Sequence, residues 1–238
     1  MFYHLEQTTS TNDDARDPKY RHGDVISAEY QTAGRGQRGH KWLSAAGRNL
    51  MFSLVLEPRH IPALRQFMIS EAVPLGIADT LAEYGIDARI KWTNDIYVGD
   101  KKITGMLIEH SLADGHLART IAGIGVNVNQ TEFDPELPNP TSMRLLTGRE
   151  YDRQALLVRL HDNIMERYEM TGSGHQTQLH ADYKRVLYRI DEPHTFRLPD
   201  GTAFTGIIRD VEADGALVVE HPDGIRRNYL FRQIEFVI

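Results

Sequence analysis

Four cationic side chains, Arg35, Arg38, Lys41 and Arg48, fall within fourteen positions of an acidic chain, the first two threaded among Gly34, Gly36 and Gly39 in the segment QTAGRGQRGHKW. Glycines let a ligand approach backbone N–H groups, and guanidinium forks pair with carboxylate or phosphate oxygens, so the segment reads as an anion site. The glycine spacing also matches a dinucleotide-binding fingerprint. That fingerprint needs a helix directly after the loop, whose N-terminal amides meet the pyrophosphate. Here the chain runs through HKWLSAAGRN into an apolar strand instead. A plain hairpin loop, its glycines serving only positive φ, is the remaining alternative, and the density of positive charge weighs against it.

A second constellation, KWTNDIYVGDKKITG, sets Lys91, Asn94 and Asp95 at a strand boundary and Lys101 and Lys102 just past a tight turn. Lysines beside a turn often form a solvated face that discourages edge pairing. A lysine next to the small residues Thr104 and Gly105 can instead reach into a cleft as a point charge between two anions. Asp95 would then either orient that lysine or bind a magnesium ion. In GIGVNVN, strand alternation puts Gly123, Gly125, Asn127 and Asn129 on one face, and glycine inside a strand marks a close approach by something else. The stretch TTSTND offers Ser10, Thr11 and Asn12 either as a helix N-cap or as hydrogen-bonding partners for a small polar ligand.

The elements carrying these groups follow from periodicity. FYHLEQT and DVISAEY read as strands around a short polar helix, and NLMFSLVLEP as a buried strand. Residues 61–84 have helical spacing at Leu64, Phe67, Met68, Val73, Ile77 and Leu81, with Pro74 expected to kink or split the helix. From Arg89 to Asn129 the pattern is an antiparallel meander with turns at Gly99-Asp100 and Ala113-Asp114-Gly115. A helix over 151–170 buries Leu156, Leu157, Leu160, Ile164, Met165 and Tyr168, and a shorter one follows around Leu179–Leu187. Beyond residue 190, short strands separated by Pro-Asp-Gly and Ala-Asp-Gly turns suggest a small β-barrel.

The whole chain bounds the function. Its 238 residues allow one substantial domain and a small appendage. It contains no cysteine, which excludes disulfides, thiolate metal sites and a cysteine nucleophile. A net charge of −6 argues against general DNA binding. No apolar run approaches the roughly 18 residues of a membrane span and the N-terminus lacks the layout of a signal peptide, so the cytoplasm is the expected compartment.

Taken together, STND, QTAGRGQRGHKW, KWTNDIYVGDKKITGMLIE and GIGVNVN, in that order, with RRNYLFRQIEFVI at the end, resemble the biotin protein ligases over nearly the whole chain. The resemblance implies an α+β fold. A mixed-sheet catalytic domain similar to class II aminoacyl-tRNA synthetases would occupy residues 1–188, and an SH3-like barrel residues 189–238. It implies ATP-dependent formation of biotinyl-5′-AMP from biotin and Mg-ATP, then transfer of biotin to a lysine of a biotin carboxyl carrier protein domain, with Mg2+ entering as part of the substrate complex. It further implies the type without an N-terminal DNA-binding domain, and it admits homodimerisation through the sheet.

Carried over by position, Ser10, Thr11, Asn12, Gln31 and Arg35 surround the ureido ring and lower part of the biotin pocket, and the backbone from Gly34 through Gly36 to Gln37 lines the adenylate. Lys102 contacts the biotin carboxylate and the α-phosphate, with Asp95 near it, and Arg35 joins Lys102 in neutralising the two anions as the catalytic group. Asn94, Trp42 and Asn127 belong around the nucleotide. The family often has arginine where this chain has Gln37, a difference that bears on adenylate retention and leaves Arg38 or His40 to compensate. The alternatives are a lipoate protein ligase, whose dithiolane tail calls for an apolar lining rather than Ser10, Thr11, Asn12 and Gln31, and a non-catalytic small-molecule binding protein, which has no need of Lys102.

Overall fold

The computed structural model describes residues 1–36, 42–172 and 174–238. In chain order the elements are β1 (Phe2–Thr8), α1 (Thr11–Asp14), β2 (Val25–Gln31), β3 (Leu50–Leu56), α2 (Phe67–Glu83), β4 (Arg89–Lys91), β5 (Asp95–Val98), β6 (Lys101–Ala113), β7 (His116–Val126), α3 (Met143–Thr147), α4 (Arg153–Glu169), α5 (Gln176–Arg185), β8 (Pro193–Arg197), β9 (Ala203–Val211), β10 (Leu217–Glu220), β11 (Arg226–Tyr229) and β12 (Glu235–Phe236). The first seven strands form one sheet in the order β1-β2-β3-β7-β6-β5-β4. β1 and β2 run parallel and every other pair is antiparallel, so the sheet is mixed and the architecture α+β, as expected. The meander forms because Asp114 and Gly115 both take positive φ, 51° and 76°, which suits a tight turn between twisted strands.

One face of this sheet carries the main core. Phe52, Leu54 and Leu56 from β3 and Ala122, Ile124 and Val126 from β7 pack under α2 and α4, and the faces of those helices interlock through residues such as Val73, Ile77, Leu160 and Ile164. α2 is continuous through Pro74 and is not split. Proline removes one backbone donor, but a helix buried along almost its whole length draws its stability from packing, which outweighs the lost bond. Leu64, expected on the apolar stripe of this helix, lies in a preceding 3-10 turn and is 88% exposed. α4 meets its expected pattern, with Asp152 capping it by accepting hydrogen bonds from the amides of Gln154 and Ala155.

The remaining strands make a second, antiparallel sheet in the order β11-β10-β9-β8-β12. Here the barrel expected at the C-terminus is corrected to an open sheet: among the described residues its outer strands β11 and β12 do not pair with each other, and β12 is only two residues long. A shared core joins the two sheets. Phe67, Leu75 and Trp92 pack with Leu179 and Tyr183 of α5 and with Phe196, Val211 and Leu217. Trp92 also donates its indole N–H to the carbonyl of Gly215 at 2.9 Å.

A polar cluster crosses the same boundary. His180 on α5 contacts Glu71 of α2 at 2.7 Å and Asp210 of β9 at 3.0 Å, and Lys184 reaches Asp210 at 2.9 Å. The hydrogen bond to Glu71 raises the His180 pKa above its ordinary value against the opposing effect of burial, with Asp210 adding to the rise. A raised folded-state pKa stabilises the fold fully below the unfolded value and loses that effect as pH climbs through the folded value. The thermal midpoint of His180→Gln should therefore lie below that of the parent near pH 6 and close much of the gap by about pH 9. A gap that widens with pH would contradict the assignment.

Candidate active site

A cavity of about 370 Å³ opens where the C-terminal ends of β1 and β2, the middle of β6 and β7, and the β4–β5 hairpin meet the second sheet. Its polar end is built on α1. Thr11 and Asn12 are 3% and 4% exposed. Gln31 accepts the Thr11 amide at 2.8 Å and its hydroxyl at 3.3 Å. Ser53 of β3 donates to Asn12 Oδ1 at 2.6 Å and lies 2.8 Å from the Thr11 hydroxyl. Ser10 occupies the N-cap position of α1 but makes no side-chain cap bond, so capping does not account for its hydroxyl.

At the other end Lys102 Nζ lies 2.7 Å from Asp95 Oδ1, both side chains partly exposed. A register shift between Ile96 and Tyr97 makes this pair: Ile96 faces Thr104 but Tyr97 faces Lys102, so Ile103 is the extra residue of a bulge that re-aims the lysine. The backbone of Lys102 is pinned as well, donating to Asn139 O at 2.8 Å and accepting from Thr141 N at 2.9 Å. Asp95 is thus the ion-pair partner of Lys102. Among the described residues no three His, Asp or Glu side chains group to hold a metal ion.

The strand glycines do permit close approach, and the approaching groups belong to the protein. Gly105 and Gly125 pair across β6 and β7. A Cβ on them would lie 2.8 and 2.3 Å from the Trp42 indole. The indole therefore rests on a bare patch of sheet, 5.8 Å from Lys102 Nζ by its ring centroid. Trp42 Nε1 is buried without a hydrogen-bond partner among the described residues, a costly state that a ligand acceptor would relieve.

Arg35 lines the cavity and pairs with Asp13 at 2.7 Å, with Glu109 3.5 Å away; Gly36 lines it too. Asn94 lines it with both ends of its amide engaged, Nδ2 donating to Met106 O and Oδ1 accepting from Thr93. Gly34 does not line it. Gly34 accepts the Trp42 amide at the base of the loop and faces a second cavity of about 270 Å³ that shares Gln31 and Trp42.

Asn127 does not line the cavity either, and its expected place on the Gly face with Asn129 is corrected. β7 ends at Val126, after which Asn127 is buried with its amide on Ile103 O, and Asn129 bonds to Tyr151. Gln37, Arg38 and His40 lie outside the described residues. Several residues at or beside the cavity were not singled out in the sequence, although all but Ser53 fall within its quoted motifs. Glu109 and Ser53 hydrogen-bond Asn12, Trp92 lines the cavity from the β4–β5 hairpin, and Phe231, Ile234 and Phe236 line it from the second sheet and the loop leading into β12.

A mixed sheet with one polar-lined pocket that ends in a lysine–aspartate pair defines the class: the chain belongs to the Biotin/lipoate A/B protein ligase family, whose profile matches residues 2–127. The biotin protein ligase C-terminal domain profile matches residues 190–231, which favours the biotin branch over the lipoate one. The chain is 30% identical to the biotin–[acetyl-CoA-carboxylase] ligase of Paracoccus denitrificans, over 92% of its own length and 94% of that protein's. It is 31% identical to the bifunctional ligase/repressor of Salmonella typhimurium, over 90% of its own length and 67% of that protein's. Among solved structures, the biotin protein ligase from Aquifex aeolicus in complex with biotin and ATP superposes with a TM-score of 0.84 at 25% identity, covering 99% of this chain and 98% of that one.

Proposed function

We propose that the protein is an ATP-dependent ligase that activates biotin as biotinyl-5′-AMP and transfers it to a lysine of a biotin carboxyl carrier domain, working in the cytoplasm. The observation that carries this reading is that one cavity holds both a hydrogen-bonding end, at Thr11, Asn12 and Gln31, and a cationic end, at Lys102. A urea needs partners for its carbonyl and its N–H groups. Gln31 uses its oxygen on Thr11 and keeps Nε2 as a donor, while Asn12 offers an acceptor.

At the far end, a biotin carboxylate oxygen attacks the α-phosphorus of ATP. The new O–P bond forms as the bond to the β-phosphate bridge breaks, and pyrophosphate leaves with the electron pair. Bringing two anions together is opposed chiefly by charge, so the Lys102 ammonium, held by Asp95 and a pinned backbone, does most of the work. Magnesium would enter as part of the Mg-ATP substrate and offset phosphate charge there. Arg35 adds positive charge to the cavity lining, and the Trp42 N–H, beside Lys102, gains an acceptor from the bound nucleotide.

In the second step the carrier lysine attacks the acyl carbon and AMP leaves with the phosphate oxygen. Asp95 takes the proton from the attacking amine once Lys102 has turned to the phosphate. No covalent enzyme intermediate is required, in accord with a chain that lacks cysteine.

The test is mass analysis of a carrier domain incubated with the protein, Mg-ATP and either biotin or lipoate. The reading expects one biotinyl group on one lysine, dependent on ATP, and no lipoyl product. Lipoylation without biotinylation would replace it with the lipoate reading.

A further inference from the structure

The groups around the Asn12 amide hold it one way round. Its Nδ2 donates to Glu109 Oε2 at 2.9 Å and to Leu107 O at 3.2 Å, while Oδ1 accepts from Ser53. Both amide hydrogens are used and one lone pair of the oxygen remains. Turning the amide over would press its oxygen against a carbonyl and a carboxylate. Ser53, whose hydroxyl can give or take, imposes no preference. The oxygen lies over Gly123, where a Cβ would come within 2.1 Å of it, and both Asn12 and Gly123 line the cavity. Toward a ligand, Asn12 is an acceptor only.

We infer that Glu109 is a specificity-determining positioning residue: by fixing the Asn12 amide, its carboxylate makes the polar end of the cavity select a ligand that offers an N–H and reject one that offers an oxygen there. The inference rests on the reading of this cavity as a biotin site. Glu109 does not itself line the cavity and acts through Asn12. It is held in turn by Arg16, which meets Oε1 at 2.8 Å, and by Arg35 at 3.5 Å from Oε2, both of which also contact Asp13. With two acceptors on one side the amide has no comparable alternative, whereas with Leu107 O alone one of its hydrogens loses its acceptor and the bias against turning weakens.

The experiment compares biotin with two cyclic carbamate analogues, each with one ureido N–H replaced by a ring oxygen, in acid-dependent ATP–pyrophosphate exchange. The parent enzyme should prefer biotin over at least one analogue by about a hundred-fold or more in kcat/KM. In Glu109→Met that preference should shrink at least about tenfold, through KM rather than kcat, because the amide is held by Leu107 O alone and turns more readily. Glu109→Gln, which still provides an acceptor, should keep the parental ratio. The side chain of Glu109 is 30% exposed, so neither change opens the core, and thermal midpoints report any general loss of structure.

An undiminished preference in Glu109→Met, a lost one in Glu109→Gln, or no preference in the parent would each overturn the inference. Should Glu109→Met not fold, the Glu109→Gln ratio decides. Absence of any biotin-dependent exchange in the parent would instead remove the functional reading beneath it.

Discussion

Replacing Lys102 with alanine should lower biotin-dependent ATP–pyrophosphate exchange by about a hundred- to a thousand-fold at saturating substrates, the usual cost of deleting one preorganised electrostatic group. The thermal midpoint should barely move, because the side chain is partly exposed and, among the described residues, its ion-pair partner is the partly exposed carboxylate of Asp95. Two effects combine. The positive charge that offsets the meeting of carboxylate and α-phosphate is gone, and Asp95, 2.7 Å from the missing ammonium, becomes an uncompensated negative charge facing two incoming anions. Adding Asp95→Asn to Lys102→Ala should therefore recover part of the lost substrate affinity and little of kcat. Stopped-assay exchange with labelled pyrophosphate and a thermal melt check both parts, and near-parental exchange in Lys102→Ala would mean that the lysine has no role in the chemistry.

Gly123→Ala should raise the KM for biotin by about ten- to a hundred-fold and lower stability by about 1–3 kcal/mol, the range typical of overpacking. Gly123 on β7 is flanked in register by Ser53 on β3 and Leu107 on β6, so the Asn12 side chain lies across a row of three strands and bonds to the two outer ones. A Cβ at position 123 would stand 2.1 Å from Asn12 Oδ1 and 2.7 Å from its Cγ. Asn12 has no length with which to yield, so it must leave its hydrogen bonds. The Lys102–Asp95 pair sits elsewhere on the sheet, so kcat should survive at saturating biotin. Steady-state kinetics with biotin varied checks the split, and an unchanged KM would show that Asn12 takes no part in binding.

These two residues also mark how far the sequence could be read. The meander was legible because its turns use residues that tolerate positive φ, and the glycine face because alternation along β7 is local. What covers that face was not legible, since Asn12 and Trp42 approach from distant parts of the chain and no spacing rule links them to Gly123 or Gly125. Alternation misled at Asn127 because nothing local says that β7 stops at Val126, where the chain turns away to bond with Ile103 and α3. Pro74 shows the converse: local propensity predicted a break that burial on both sides overrode.

Glu109 closes the motif KWTNDIYVGDKKITGMLIE, yet nothing local gives it a role, because its chemistry lies in a partner on α1. The lysine–aspartate pair was legible as two residues near a turn, but its geometry depends on a bulge that only the register reveals. That the C-terminal sheet stays open was not legible either, because its turns do not disclose that β12 is only two residues long.

The central claim is that Lys102 and the polar end built on Asn12 hold one acid so that its carboxylate meets the α-phosphorus of ATP. The most direct test is to incubate the protein with ATP labelled at the α-phosphate and biotin, then trap the product with hydroxylamine. The account requires labelled biotinyl-AMP that gives biotin hydroxamate, formed by the parent and by Asp95→Asn but reduced at least about a hundred-fold in Lys102→Ala. Labelled adenylate formed equally well by Lys102→Ala, or formed from lipoate and not from biotin, would contradict it.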